Sequence, residues 1–296
     1  MTHQVFFPLL VAVTAAGASI FGVRRLQPVT AAWTLTLIAV AGGLAAASGL
    51  VIVILGFLRG VPWFGHGLAW CLHLSEGTDV VAWSQGTIAV VWSTAAIIRV
   101  QRRRRTYRAL RASGSQGPEV EIVADEEPTA YSLPGRPGRI VVSASMLACL
   151  PEAEQDVLFA HERSHLRHRH DRFIHLADLA AAVLPPLALL GQRVRFATER
   201  WADEDAAREL GDTGLVARAI ARAALAQGDV GPPTALALAR LGVRARVEDL
   251  LREPPSRRLA LAALASTGVL AAVVVVSSSV QVHHLALVAA HACFAP

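Results

Sequence analysis

Four apolar runs constrain this chain more than any other feature: Val5 to Val23, Ala31 to Leu58, Val80 to Ile98 and Leu259 to Val280. A hydrocarbon core of about 30 Å takes roughly 20 helical residues to cross, and each run is long enough for that. Hydrophobic residues make up 53% of the 296, more than the surface of a soluble domain usually accommodates. Four membrane spans are therefore expected. The first is read as an uncleaved anchor: Met1 to Val5 carries no Lys or Arg, whereas Arg24 and Arg25 follow the run directly, the reverse of a signal peptide's charge order.

Arginines set the orientation, because short cytoplasmic loops hold the excess positive charge. Arg24 and Arg25, the cluster Arg102, Arg103, Arg104, Arg105, Arg108 and Arg111, and the pair Arg257 and Arg258 are then inside; the loop from Trp63 to Glu76 and both termini are external. The same placement accounts for the net charge of +5 through anionic lipid headgroups. No nucleic-acid recognition motif accompanies that charge, so direct nucleic-acid binding is not expected. The three cysteines show no metal spacing; Cys149 should stay reduced inside, while Cys71 and Cys293 are external and free to pair.

This gives three regions: residues 1–100 with three spans, 101–258 as an inside-facing domain, and 259–296 with the last span and a short tail. Within the middle region, "ASGSQGPE" (Ala112 to Glu119) reads as a flexible linker. "VEIVA" and "RIVVSA" read as short β-branched strands separated by the turn-rich "SLPGRPGR", hence a small hairpin or sheet. From Pro151 the pattern is helical, acidic at its start (Glu152, Glu154, Asp156) and basic towards its end, as the helix dipole favours. Further helices are expected over "VRFATERWADEDAAREL", "GLVARAIARAALAQ" and "RVEDLLRE", the first two stopping at Gly211 and Gly228.

The chemistry concentrates in "VLFAHERSHLRHRHDRF", Val157 to Phe173. His161 and His165 are four residues apart, so on a helix they project from one face about a turn apart and can bind one Zn²⁺. Glu162 lies beside them, placed to act as general base on a water that zinc acidifies. A catalytic zinc needs a third protein ligand and an open position. "TERWADEDAA" offers Glu199 on another helix, with Asp203 one turn on along the same face to orient a histidine. Glu204 and Glu209 are the rival ligands, though neither has an acid four residues further on.

"LFAHERSHLRHRHD", preceded by "AYSLPGRPGRIVVSASMLACLPEAEQ" and followed by "ERWADEDAA" and "RVEDLL", resembles the membrane metallopeptidases of the BlaR/MecR antirepressor type. More distantly it is similar to the heat-shock and CAAX-prenyl membrane proteases. The resemblance covers Glu119 to about Arg252 and the arrangement of spans. It implies an HExxH gluzincin with ligands His161, His165 and Glu199, the general base Glu162, and Asp203 as the acid after the glutamate. It also implies a protein substrate, either a transcriptional repressor in a signalling response or a membrane protein under quality control. Beta-lactam sensors of this type carry a large penicillin-binding domain after the last span. Here 16 residues follow Val280, so no such domain is expected and a beta-lactam signal is not implied.

"FIHLADLAAAVLPPLALL", Phe173 to Leu190, is apolar enough for a fifth span. One crossing there would put His165 and Glu199 on opposite faces of the bilayer, and Pro185 and Pro186 interrupt the run. A re-entrant or interfacial helical hairpin is expected instead. His168, His170 and His175 are expected to meet headgroups or solvent. His66, His73, His283, His284 and His291 are external and interfacial.

The expected architecture is mainly α: four membrane helices plus a zincin-like α+β catalytic domain on the cytoplasmic side of a multi-pass cell-membrane protein. The expected activity is that of a zinc endopeptidase, with a substrate strand pairing near Ile140 to Ser143 and no residue assigned to an oxyanion. Intramembrane proteases of the site-2 type differ, since their zinc motif lies within a span and their third ligand is an aspartate. A non-catalytic receptor holding zinc for structure is the remaining alternative.

Overall fold

In the computed structural model the described residues are 26–58, 80–227, 233–252 and isolated helical positions between 258 and 280. They form a mainly helical fold with one three-stranded sheet. Two long helices come first, α1 (Pro28–Leu58) and α2 (Val80–Gly114). Strands β1 (Val120–Val123), β2 (Ala130–Leu133) and β3 (Arg139–Ser143) follow, then the short α3 (Ala144–Cys149). The remaining helices are α4 (Glu152–His168), α5 (His170–Val183), α6 (Ala188–Leu210), α7 (Thr213–Ala226) and α8 (Pro233–Leu250).

Among the described residues, one helix is long and apolar enough to cross a membrane, α1 over Pro28–Val51. It coincides with the second expected span. The expected spans Val5 to Val23 and Leu259 to Val280 lie largely or wholly outside the described residues, as do Cys71, Cys293 and the five external histidines. The third, Val80 to Ile98, is the first half of α2, which runs on unbroken through the arginine cluster.

The sheet order is β1-β3-β2, with β1 parallel and β2 antiparallel to β3. β3 is the centre, and its Ile140, Val141 and Val142 are buried. The expected substrate edge at Ile140 to Ser143 is thus corrected, because β3 is already paired on both sides. The free edge beside α4 belongs to β2, a strand the turn-rich reading of "SLPGRPGR" had partly absorbed. The expected linker is also corrected at its start: Ala112 to Gly114 finish α2. Gly114 there meets the β2–β3 turn so closely that a Cβ would fall 2.5 Å from the Pro134 carbonyl oxygen.

Helix caps set the element boundaries. Ser143 Oγ accepts from Met146 N (3.1 Å) to start α3, and Asp212 Oδ1 accepts from Leu215 N (2.8 Å) to start α7. α4 starts at Pro151 with Glu152 and Glu154 in its first turn. It stops at Arg169, held in the left-handed region at φ 52°, and α5 begins at the next residue on a new axis. After α5 comes a 3-10 turn over Pro185–Leu187, and α6 then packs back on α5. The stretch expected as a helical hairpin therefore forms two packed helices around the proline pair.

Among the described residues, three apolar cores hold these elements. Ala31, Leu35, Phe173, Ala177, Leu190, Val194 and Trp201 join α1 to α5 and α6. Val157, Ala160, Ala206, Val216 and Ala219 join α4, α6 and α7, while Val142, Met146 and Leu150 seat α3 beneath the sheet. Burial of this kind stabilises by about 25 cal/mol per Å² of apolar surface, so these contacts fix α4 against α6 and thereby the site.

Candidate metal centre

α4 brings His161 and His165 onto one face, with their Nε2 atoms 3.1 Å apart. α6 presents Glu199 opposite them, with Oε2 3.5 Å from His161 Nε2 and Oε1 3.5 Å from His165 Nε2. These three residues offer ligand atoms all within 4.8 Å of one another. Tetrahedral zinc with bonds of about 2.0–2.1 Å to nitrogen or oxygen separates its ligand atoms by roughly 3.3 Å, so the donor set fits the ion.

The far ring nitrogens are held as well. Asp203 Oδ1 lies 3.0 Å from His161 Nδ1, and His170 Nδ1 lies 3.0 Å from His165 Nδ1. Both rings thus turn Nε2 towards the shared point, the arrangement a metal-binding imidazole needs from its outer partner. The expectation that His170 meets headgroups or solvent is corrected: it is fully buried, and its Nε2 has no hydrogen-bond partner among the described residues. The left-handed turn at Arg169 directs it inward. His168 instead sits 2.7 Å from Asp205 Oδ2, and His175 stacks on Tyr107 with ring centroids 3.9 Å apart.

Arg246 on α8 was not singled out from the sequence, where "RVEDLL" offers no residue-level cue. Its Nε and Nη2 donate to Asp203 at 2.8 and 2.6 Å, and Nη1 lies 3.0 Å from Glu199 Oε2. The rival glutamates are elsewhere. Glu209 accepts from Arg163 at 2.8 Å on the far side of α4, and Glu204 pairs at long range with Arg208. Asp205 pins α4 to α6, accepting from Ser164 at 2.7 Å and Arg208 at 2.6 Å.

The electrostatics follow from burial and these partners. Burial alone would depress the His161 imidazole, but hydrogen bonds with Asp203 and Glu199 outweigh it and raise it to about 10. His165 is lowered to about 4, mainly by burial, and so stays neutral. For Glu199, burial is outweighed by His161, Arg246 and His165, which hold its carboxyl well below the usual range. Glu162, 7% exposed, is shifted upward by burial and by the Glu199 charge against the pull of His161.

A cavity of about 400 Å³ opens onto His161, Glu162, His165, Glu199 and Arg246, with Ala130, Tyr131 and Ser132 of β2 along its rim. The sequence model of peptidase family M48 matches residues 97–268, more than half of the chain, and the match takes in the sheet, both site helices and Arg246. The chain belongs to peptidase family M48. Its members are zinc metalloproteases, typically zinc-dependent, which makes this M48 chain a hydrolase. Comparison with curated proteins found no match, and comparison with solved structures found none.

Proposed function

We propose that this M48 chain is an integral membrane zinc endopeptidase whose residues 101–258 hydrolyse a peptide bond on the inner side of the bilayer. The observation that carries the reading is the convergence of His161, His165 and Glu199, with both imidazoles oriented from behind and Glu162 beside them. His161, His165 and Glu199 would hold zinc, which when bound supplies a Lewis acid for the scissile carbonyl and acidifies a water molecule.

Glu162 accepts the proton of the attacking water and delivers it to the leaving amine. Burial shifts its carboxyl upward, the direction that favours holding a proton between the two transfers. Asp203 orients His161, and Arg246 keeps Asp203 and Glu199 ionised and in place. An extended substrate adds to the free edge of β2, which borders the cavity.

The membrane part of the proposal keeps four spans with both termini outside. Its support is the apolar α1 and the outward face of α2, where Ile88, Val91 and Ile97 are exposed just before the arginine cluster. The BlaR/MecR-type resemblance supports a repressor as substrate, and the quality-control reading remains the second candidate. Replacing Glu162 by Gln tests the chemistry. The variant should bind zinc as the native chain does and lose about 10²-fold or more in cleavage rate. Signalling or turnover that survives Glu162→Gln would overturn the enzymatic reading in favour of a zinc-stabilised receptor.

A further inference from the structure

Charged side chains of three helices meet at one level. Arg103 lies 3.8 Å from Asp178, and Arg195 donates to Asp178 at 2.8 Å, so α2, α5 and α6 share an ionic layer. The candidate metal centre lies on one side of it. On the other side, residues 179–192 carry no charge; they comprise the end of α5, the Pro185–Leu187 turn and the start of α6. Residues 80–98 of α2 and the whole of α1 are uncharged too. α1 runs alongside α5: Trp33 meets Phe173 edge-on with ring centroids 4.9 Å apart, and a Cβ on Gly43 would fall 3.0 Å from Ala180 Cα. The ionic layer therefore meets α1 a little before Gly43.

Beyond that layer the tip of the α5–α6 hairpin satisfies its backbone without water. The last carbonyls of a helix have no partner within it and ordinarily turn to solvent. Here Trp92 Nε1 of α2 donates to the Val183 carbonyl at 3.0 Å, and Arg99 Nε donates to the Ala182 carbonyl at 2.8 Å. Leu184 N donates to the Ala180 carbonyl at 2.9 Å, and Leu187 N to that of Leu184 at 3.0 Å. Pro185 and Pro186 have no N–H to satisfy. The surface around these bonds is nevertheless apolar and open: Pro185, Pro186 and Leu189 are exposed, Leu189 at 56%. A backbone paired within the protein beneath an exposed apolar surface is the combination that hydrocarbon demands and water does not.

We propose that the tip of the α5–α6 hairpin is immersed in the acyl chains of the inner leaflet, with the Arg103–Asp178–Arg195 layer at the boundary between acyl chains and headgroups. The exposed Arg102, Arg104 and Arg105 beside that layer meet anionic headgroups. The lengths agree: residues 41–58 of α1 and 80–98 of α2 extend about 27 and 29 Å, against a hydrocarbon core of about 30 Å. Leu189, six residues before Arg195, lies about 9 Å inside the boundary. His170, eight residues before Asp178, places the metal centre about 12 Å outside it. α1 then begins as a core helix on the water side, where Ala31, Leu35 and Ile38 pack with α5 and α6, and its membrane-crossing part starts near Gly43 instead of at Ala31. The proposal rests on the membrane part of the reading above and adds where the bilayer sits and that a hairpin enters it without crossing.

The test is fluorescence quenching in vesicles of mixed neutral and anionic phospholipid. The full chain, with its three cysteines replaced by Ser, carries one bimane-labelled cysteine at a time: Leu189→Cys at the tip, Trp33→Cys on the first half of α1, and Val91→Cys on α2 as the lipid-facing reference. Lipids brominated deep in their acyl chains should quench the Leu189 label as strongly as the Val91 label and leave the Trp33 label bright. Aqueous iodide should spare the first two. Ala188→Cys and Leu37→Cys serve if Leu189→Cys or Trp33→Cys does not fold. A Leu189 label open to iodide and untouched by the brominated lipids, with Val91 quenched, would overturn the proposal and leave the protein a membrane protein. A Trp33 label quenched as strongly as Val91 would also overturn it, because the bilayer would then begin at the start of α1. A chain that does not float with the vesicles, its three labels all open to iodide, would instead fail the membrane reading itself.

Discussion

His170→Phe separates metal positioning from folding. For His165 to offer Nε2 to a metal its proton must sit on Nδ1, and the atom 3.0 Å away is Nδ1 of His170. His170 can accept because burial, with lesser contributions from His165 and His168, lowers it to about 3 and keeps it neutral. Its own proton then lies on Nε2, which has no partner among the described residues. Phenylalanine fills a similar volume but offers no acceptor, leaving the buried His165 N–H unpaired at a cost of about 1–3 kcal/mol. Outer partners of metal-binding histidines are worth about 10–100-fold in affinity, an equivalent range. Competition for zinc against a chromophoric chelator should show that loss. The metal-free melting temperature should hold or rise, because the orphaned Nε2 donor disappears as well. His170→Asn, which restores an acceptor, should recover part of the affinity. Unchanged zinc affinity in His170→Phe, or affinity lost only together with the fold, would refute the reasoning.

Zinc binding should tighten as pH rises. The metal-free His161 is raised to about 10, so at any lower pH the ion must displace its proton, giving up to about tenfold in affinity per pH unit between pH 6 and 8; a flat dependence would contradict the assignment of His161. Arg246→Ala should destabilise the protein by about 3–5 kcal/mol, read in thermal or denaturant unfolding, because it strands Asp203, which is 1% exposed, and removes the cation beside Glu199. Wild-type stability in that variant would show the pair to be dispensable. Cys149 is an exposed free thiol, and with Cys71 and Cys293 replaced by Ser a membrane-impermeant maleimide should label it in inverted vesicles and not in right-side-out ones. Labelling from outside would reverse the topology.

The convergence of the candidate ligands His161, His165 and Glu199 was legible because helical periodicity is local. Two histidines four apart with Glu162 between them, and Glu199 four residues before Asp203, specify a face whatever packs against it. His170 was not legible, since its burial depends on a non-glycine residue, Arg169, adopting the left-handed conformation, and "HLRHRHD" otherwise reads as one continuing solvated helix. Arg246 was missed for a related reason: its meaning lies in carboxylates more than forty residues away. In the sheet, the β-branched runs of β1 and β3 were evident, but their parallel pairing and the insertion of β2 are non-local choices made by packing, which short-range propensity does not carry. The interruption of the apolar run at Pro185 and Pro186 was anticipated because proline breaks a helix, whereas the 3-10 turn that forms there was not.

Zinc-edge X-ray absorption on the purified full chain tests the central claim most directly. One zinc per chain should appear, with two imidazole nitrogens and a carboxylate oxygen among its ligands at about 2.0–2.2 Å. Glu199→Ala should remove the carboxylate and weaken the ion, and His161→Ala should abolish it. A zinc signal unchanged by either substitution, or sulfur among its ligands, would contradict a centre built from His161, His165 and Glu199.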